Sequence, residues 1–431
     1  MKAKSLRIVL LAIFAVIIVT AMLIEVLLRI FPNWYTEFGN NLYYRYTKDT
    51  NILTLEPNQD ASYRHSCYNI PRVKTNSAGY RSYEWDNLSA VTIAVLGDSF
   101  VEGKQVPENA YFASELRGLL HVDVLNFGVS GYGTIHEYLQ YVRQVRYYKP
   151  KIVLLFFCTF NDVNGNSCRM LTGGSLLSCA TMDNGSVTID EKKGQKGFKT
   201  LVNLLYRYYK TSLFIKTVFL QHRVDAPARK KTDVLPQDYY SYMPPNAAKD
   251  NAKDNAKDNA KDNEWTQAWE ITDHFLRELK RETDRDNATL IVIPVVEHIR
   301  MVKNVVEELH SALGIAAPKG FDPEYPVRRL REAAQMNNII FYNPEPFFRR
   351  YRDEHNLPEP YFAYRCEGHW NPLTHYLMAN LAAEYLINNG YIDNATLAGI
   401  EHNLRRTPRE ILGASAYKEI YEGGFFNGVI R

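Results

Sequence analysis

Five short runs in the chain are apolar almost from end to end: VTIAVLG, VDVLNFG, KIVLLFFCTF, ATLIVIPVV and NIIFYNP. Each has the length of a strand, and a strand that is apolar on both faces is covered on both, as in a parallel sheet between helix layers. Between several of the runs, apolar residues return every three or four positions. ENAYFASELRGLL and EWTQAWEITDHFLRELKRE show this period, and the second gathers Trp265, Trp269, Phe275, Leu276 and Leu279 towards one helical face. The pattern predicts an α/β fold, a doubly wound, mostly parallel five-stranded sheet in a three-layer sandwich.

A different pattern opens the chain. Lys2, Lys4 and Arg7 precede Ile8 to Ile24, which holds no charged residue. That is just long enough for a bilayer, which takes roughly 17 to 25 residues. Glu25 and Arg29 then fall near the far interface. Basic residues favour the cytoplasmic side, so the expectation is a single-pass protein with a cytoplasmic N-terminus and a periplasmic or otherwise extracytoplasmic domain. No small-x-small cleavage site follows; EVLLRIFPNWY does, with aromatic residues suited to an interface. The helix therefore reads as an uncleaved transmembrane anchor rather than a signal peptide.

The expected divisions are an anchor at 1–40, an α/β domain at 41–390 with an insertion at 163–263, and a C-terminal extension at 391–431. Inside the insertion, AKDN repeats from Ala248 to Asn263, either as a solvated linker or as the charged start of the next helix. Upstream, FKTLVNLLYRYYKTSLFIKTVFLQHR is aromatic and basic, and packing onto the main domain is its expected fate.

Charge narrows the function classes. Against 51 basic residues stand 48 acidic ones, a formal +3 spread along the chain, so no nucleic-acid partner is expected. The five cysteines suit an oxidising compartment; Cys168 and Cys179 could pair, and an odd count leaves at least one thiol unpaired within the monomer. No CxxC or HExxH spacing occurs, so neither metal nor cofactor is expected.

Open α/β sheets bind ligands at the carboxyl ends of their strands. The first run ends in Gly97-Asp98-Ser99, where glycine allows a sharp exit and the hydroxyl can stand at the rim. The second ends in NFGVSGYGT, whose Gly128, Gly131 and Gly133 let backbone amides approach a ligand. The third ends in Thr159-Phe160-Asn161-Asp162, offering a side-chain amide for a developing oxyanion. Near the C-terminus, YRCEGHWNP sets Glu367 and His369 two apart before a helix entered at Asn371-Pro372; in an extended segment both point the same way.

These residues, in this order, resemble the SGNH (GDSL-type) hydrolase family. Ser99 falls on the family's nucleophile, Gly131 and Asn161 on its second- and third-block residues, and His369 on its histidine. VKTNSAGYRS is similar to a segment that precedes the serine in many envelope-associated bacterial members. Two positions depart from the pattern. Thr159 stands where the third block usually begins with glycine, and Cys366 where an aspartate commonly precedes the histidine by three. EGHW resembles instead the alginate-acetylation version, with an acid two before the histidine, and this implies Glu367 as the acid.

The resemblance implies a Ser99, His369 and Glu367 triad, an oxyanion hole from the Ser99 and Gly131 amides with the Asn161 side chain, and supporting roles for Asp98 and Asp162. It implies a membrane-anchored esterase that removes O-acetyl or other acyl groups from an envelope or extracellular glycan. The partners implied are an acylated glycan or small ester, the membrane, and envelope polysaccharide-assembly proteins. Two alternatives stay open: an O-acyltransferase working through a Ser99 acyl-enzyme, and a catalytically silent glycan-binding or assembly module.

Overall fold

The computed structural model describes residues 2–30, 42–47, 49–89, 92–171, 177–191, 241–244, 255–310, 320–393 and 397–430. The basic aromatic segment of the insertion and residues 248–254 of the repeat lie outside them.

Lys2–Ile30 is one continuous helix. Its Leu11–Leu28 stretch has a mean hydropathy of 2.9 and is only 6% buried. Twenty-nine residues at the α-helical rise reach roughly 43 Å, against a hydrocarbon core of about 30 Å. By length and composition this helix can cross a membrane.

The chain then forms two hairpins, β1 (Tyr44–Tyr46) with β2 (Leu53–Leu55) and β3 (Asp60–His65) with β4 (Tyr68–Lys74). The apolar runs follow as β5 (Thr92–Leu96), β6 (Asp123–Asn126) and β7 (Ile152–Phe157). After β7 comes the hairpin β8 (Cys179–Asp183) with β9 (Ser186–Asp190), and then the last two apolar runs, β10 (Thr289–Pro294) and β11 (Ile340–Phe341). β12 (Ala363–Tyr364) pairs antiparallel with β13 (Glu367–Trp370).

The five apolar runs make one parallel sheet in the order β11-β10-β7-β5-β6. Alternation along each strand divides the core. Ile93, Val95, Leu154, Phe156, Ile291 and Ile293 face one side, with Leu116 of helix Phe112–Leu120 and Leu377 of helix Pro372–Asn388 in the same cluster. Ala94, Leu96, Val153, Leu155, Leu290 and Val292 face the other, where Ile135, Leu276 and Leu330 arrive on helices Thr134–Arg143, Asn255–Arg285 and Tyr325–Met336. Trp265, Trp269, Phe275, Leu276 and Leu279 are all buried in this second layer. Removing a fully buried leucine side chain from such a layer typically costs about 2–5 kcal/mol.

Helix Asn255–Arg285 begins inside the AKDN repeat, so residues 255–263 are the charged start of a helix rather than linker. The residues beyond 391 pack into the first core layer through Ile400, Leu404, Leu412 and Tyr421. Phe426 returns to the β3–β4 hairpin, its N–H donating to the Cys67 carbonyl at 3.0 Å.

Cys168 pairs with Cys179, and a second disulfide joins Cys67 to Cys366 across 299 residues. Spacing in sequence carries no signal for that second pairing. Cys158 is the remaining thiol and is buried.

Strand order decides where a site can form. The chain goes from β5 outward to β6, then crosses back to β7 on the other side of β5, so the loops leaving β5 and β7 part and open a crevice at their carboxyl ends.

Candidate active site

Gly97 ends β5 at φ +154°, where a Cβ would lie 2.5 Å from Val101 Cγ2 and 3.2 Å from the Phe156 carbonyl oxygen. The chain turns at once into the single helical turn Ser99–Glu102. Asp98 caps it, its Oδ1 accepting the Phe100 N–H at 2.9 Å, and Gly103 leaves it in the left-handed region at φ +63°. Ser99 thereby stands at the strand end, 9% exposed.

The loop after β6 is laid against this turn. A Cβ on Gly128 would fall 2.4 Å from Glu102 N and 2.6 Å from the Val101 carbonyl carbon, so only glycine lets the two backbones touch. Glu102 is fully buried and accepts the Ser130 N–H at 2.7 Å and the Tyr44 hydroxyl at 2.8 Å. Lys104 Nζ neutralises it at 3.1 Å and donates to Ser130 Oγ at 2.7 Å. Gly131 follows Ser130 at φ +81°. At the loop's far end Gly133 touches the third segment, since a Cβ there would meet the Asn161 carbonyl oxygen at 2.4 Å.

That third segment leaves β7 as a wide turn, Phe160–Asn164. Asp162 holds it from inside, accepting the Cys158 N–H and the Thr134 hydroxyl, both at 2.7 Å. Burial pushes the Asp162 carboxyl and the adjacent Glu137 carboxyl above their ordinary values, and the Asp162 charge further opposes ionisation of Glu137. Asn161 Nδ2 donates to Asp98 Oδ2 at 2.6 Å, tying this turn to that of Ser99. An amide nitrogen carries two protons, and the second is left for a ligand. Thr159, where a glycine was expected from the family pattern, has φ −51° and ψ −38°, a conformation open to any residue. Its N–H donates to Glu297 at 3.2 Å.

Glu367 and His369 come from β13, where alternation places them on one side while Trp370 turns into the core and donates Nε1–H to the Val296 carbonyl at 2.9 Å. His369 Nε2 stands 2.7 Å from Ser99 Oγ, and its Nδ1 is 3.0 Å from Glu367 Oε2. Phe100 packs beside the imidazole, ring centroids 4.9 Å apart. Burial by itself would raise the Glu367 carboxyl, but hydrogen bonds from His369 and Tyr68 and the nearby imidazole charge outweigh it and hold the group below its ordinary value. The Asn371 side chain caps the following helix, accepting the Thr374 N–H at 3.2 Å.

The structure therefore joins Ser99, His369 and Glu367 in one hydrogen-bonded chain and sets Asn161 beside it through Asp98. Gly131 sits in a loop anchored to the Ser99 turn through Ser130. Sequence reasoning missed Tyr68, whose hydroxyl donates to Glu367 Oε1 at 2.5 Å, and the Glu102 and Lys104 pair. It also gave no role to Arg81, fully buried, which donates to the carbonyls of Gly103 and, at 2.6 Å, of Val106, just past the Ser99 turn. Arg81 belongs to the TNSAGYR segment, whose recurrence beside serine blocks was its one available signal. Cys366 cannot serve as an acid, being in the disulfide to Cys67.

Residues 93–298 match the family model GDSL-like Lipase/Acylhydrolase, a span that stops short of Glu367 and His369. No curated protein matches the chain in sequence. Among solved structures, the acetyl xylan esterase AlAXEase is 12% identical with a TM-score of 0.37, covering 69% of this chain and 100% of its own. A catalytic mutant of Axe2, an acetylxylan esterase from Geobacillus stearothermophilus, is 12% identical with a TM-score of 0.34, covering 70% of this chain and 95% of its own. TesA is 10% identical with a TM-score of 0.32, covering 68% and 97%. The matched span takes in the strand-end segments of Ser99, Gly131 and Asn161, so this part of the α/β domain is similar to the GDSL-like lipase/acylhydrolase family.

Proposed function

We propose that the chain is a membrane-anchored serine esterase that removes O-acetyl groups from an envelope or extracellular glycan. The observation that carries this reading is the unbroken chain Ser99 Oγ, His369 and Glu367, at 2.7 and 3.0 Å, standing at the switch point of the sheet. His369 takes the Ser99 proton as Oγ attacks the ester carbonyl. The Ser99 and Gly131 N–H groups and the second Asn161 amide proton meet the oxyanion. As the tetrahedral intermediate collapses, His369 returns the proton to the leaving alcohol, and the acetyl group stays on Ser99. Water, deprotonated by the same imidazole, then releases acetate. Glu367 keeps the imidazole proton on Nδ1 and stabilises the imidazolium.

The apolar N-terminal helix behind Lys2, Lys4 and Arg7 supports attachment with the domain outside the cytoplasm. Two disulfides accord with an oxidising compartment. The EGHW and TNSAGYR resemblance to polysaccharide-modifying members supports the glycan substrate. The test is to incubate the full chain in detergent with a small acetyl ester and a serine-directed phosphonate, then with an acetylated glycan. Acetate release and phosphonate labelling that both vanish in Ser99→Ala are expected. A wild-type chain that neither turns over ester nor takes the label sinks the proposal, and labelling with acetyl passed only to an added sugar acceptor replaces hydrolysis by transfer.

A further inference from the structure

The two oxygens of Glu367 have different partners. Oε2 faces His369 Nδ1, and Oε1 accepts from Tyr68 OH. Tyr68 opens β4, is fully buried, and has its ring 4.4 Å from Tyr364 and 5.6 Å from His65. One residue before each of these partners the chain is cross-linked, Cys67 to Cys366. Covalent bridge and hydrogen bond thus run side by side between the same two segments. Phe426 closes the arrangement from the C-terminus, bonded to the Cys67 carbonyl at 3.0 Å and to the Asn69 N–H at 2.7 Å.

We propose that Tyr68 is a positioning residue of the active site, fixing Glu367 through its hydroxyl, and that the Cys67–Cys366 bridge makes this fixing, and with it turnover, dependent on oxidation. The proposal rests on the serine-esterase reading. A glutamate has more rotamer freedom to lose than the shorter aspartate more usual in the family, so one bond to the imidazole leaves its carboxylate free to swing. A second donor on the far oxygen removes that freedom and favours the ionised form. Strand pairing gives little help: β13 meets β12 only at Ala363 with Trp370 and Tyr364 with Glu367. Opening the bridge takes a dithiol reductant, which delivers two electrons and two protons; the sulfur–sulfur bond becomes two thiols and the reductant its cyclic disulfide. Tyr68 and Glu367 are then joined by non-covalent contacts alone. The titratable groups facing Glu367 are His369 on its own strand, Tyr68, His65 and Tyr63 on the β3–β4 hairpin, and Tyr364 on β12.

The test uses the full chain in detergent with a small acetyl ester. Tyr68→Phe, which keeps the ring packing, is expected to lower kcat about tenfold, the size of one charged hydrogen bond, with KM unchanged and the acid limb of the pH profile moved upward. Dithiol reduction, with opening of the bridge read from the mass of alkylated Cys67 and Cys366, is expected to lower wild-type turnover similarly. A dithiol also opens the Cys168–Cys179 bridge, so the comparison is made in a Cys168→Ala, Cys179→Ala background, where the further Cys67→Ala, Cys366→Ala double variant should start low and ignore the reductant. Wild-type kcat and pH profile in Tyr68→Phe, full turnover with both thiols alkylated, or a double variant still sensitive to reductant would each overturn the proposal. The low-field proton resonance of His369 Nδ1–H separates this from the esterase reading. If no variant turns over ester yet the resonance shifts in Tyr68→Phe, the esterase reading fails and the positioning role stands; a resonance unmoved by Tyr68→Phe removes that role.

Discussion

Ser99, Gly131 and Asn161 leave the ends of three adjacent strands of the central sheet, whereas Glu367 and His369 ride on β13, whose ladder partner is the two-residue β12. The first half is held by backbone contact. Gly128 lies against the Ser99 turn and Gly133 against the Asn161 turn, while Asp98 and Asp162 brace those turns from within. The second half is held by side chains and one covalent bond, Tyr68 on Glu367 and Cys67 on Cys366. A parallel sheet presents its strand-end loops in fixed order, so close packing suffices there. An appended ribbon has no such frame and needs local ties.

The largest expected effect ignores the difference, because the proposed reaction needs both halves. Ser99→Ala or His369→Gln should lower kcat by at least about 10⁴-fold, leaving the contribution of the oxyanion donors and binding. Rates on a small acetyl ester, measured on protein whose thermal unfolding matches wild type, decide this; a loss under tenfold in either variant would remove that residue from the scheme. Asn161→Ala should cost less, about 10² to 10³ in kcat, the usual cost of one oxyanion donor. Unchanged KM with reduced kcat would place the amide on the transition state, and unchanged kcat would leave it as a strut for Asp98.

Glycines sharpen the comparison directly. In the sheet half, Gly128→Ala puts a Cβ 2.4 Å from backbone nitrogen, and backbone cannot swing aside. A loss of about 1–3 kcal/mol in stability is expected, with turnover falling beside it. In the ribbon half, Gly368 stands between Glu367 and His369 with nothing within 4 Å of an added Cβ. Gly368→Ala should therefore stay within about 0.5 kcal/mol of wild type. Denaturant unfolding of the two variants checks the pair, and equal losses would dissolve the distinction between the halves.

The same division explains what could be read in the sequence. The sheet half was legible because strands that are apolar on both faces announce themselves, and strand ends in a parallel sheet all emerge at one rim. Those two facts pointed to Ser99, to Asn161 and to the glycine loop between them, and the family resemblance then singled out Gly131 within that loop. Glu367 and His369 were legible as an i, i+2 pair, but their supports were not. Tyr68 and Cys67 lie about 300 residues from their partners, and β1 to β4 are short strands with mixed burial that give no clean period. Glu102 and Lys104 were equally hidden, since a buried ion pair reads in sequence as two surface charges. The meaning of Thr159 also waited on its place in the fold, because a missing glycine signals change only where φ is positive or another backbone lies where the Cβ would be.

The gentlest perturbation is acid, which changes no residue. His136 follows Gly133 on the sheet half, fully enclosed; its Nδ1 accepts the Gly133 N–H at 3.0 Å and its Nε2–H donates to the Ser178 carbonyl at 2.7 Å. Burial lowers this imidazole to about 4, and only a neutral ring can receive the Gly133 proton. Unfolded, the same side chain titrates near 6.5. Between those values the unfolded chain binds the extra proton, so this contribution to stability is complete above pH 6.5 and is lost as pH falls towards 4. By pH 5.5 the loss should be on the order of 1 kcal/mol. His375, also buried and also held well below its ordinary value, adds in the same direction. Glu367, held low, loses its contribution only at more acid pH, as protonation passes through its lowered value. Moderate acid should thus loosen the Gly133 loop before it disturbs the acid of the ribbon. Urea unfolding of wild type and His136→Gln at pH 7 and 5.5 measures this: the variant should show the shallower pH dependence, and identical slopes would mean that the imidazole keeps its ordinary affinity for protons inside the fold.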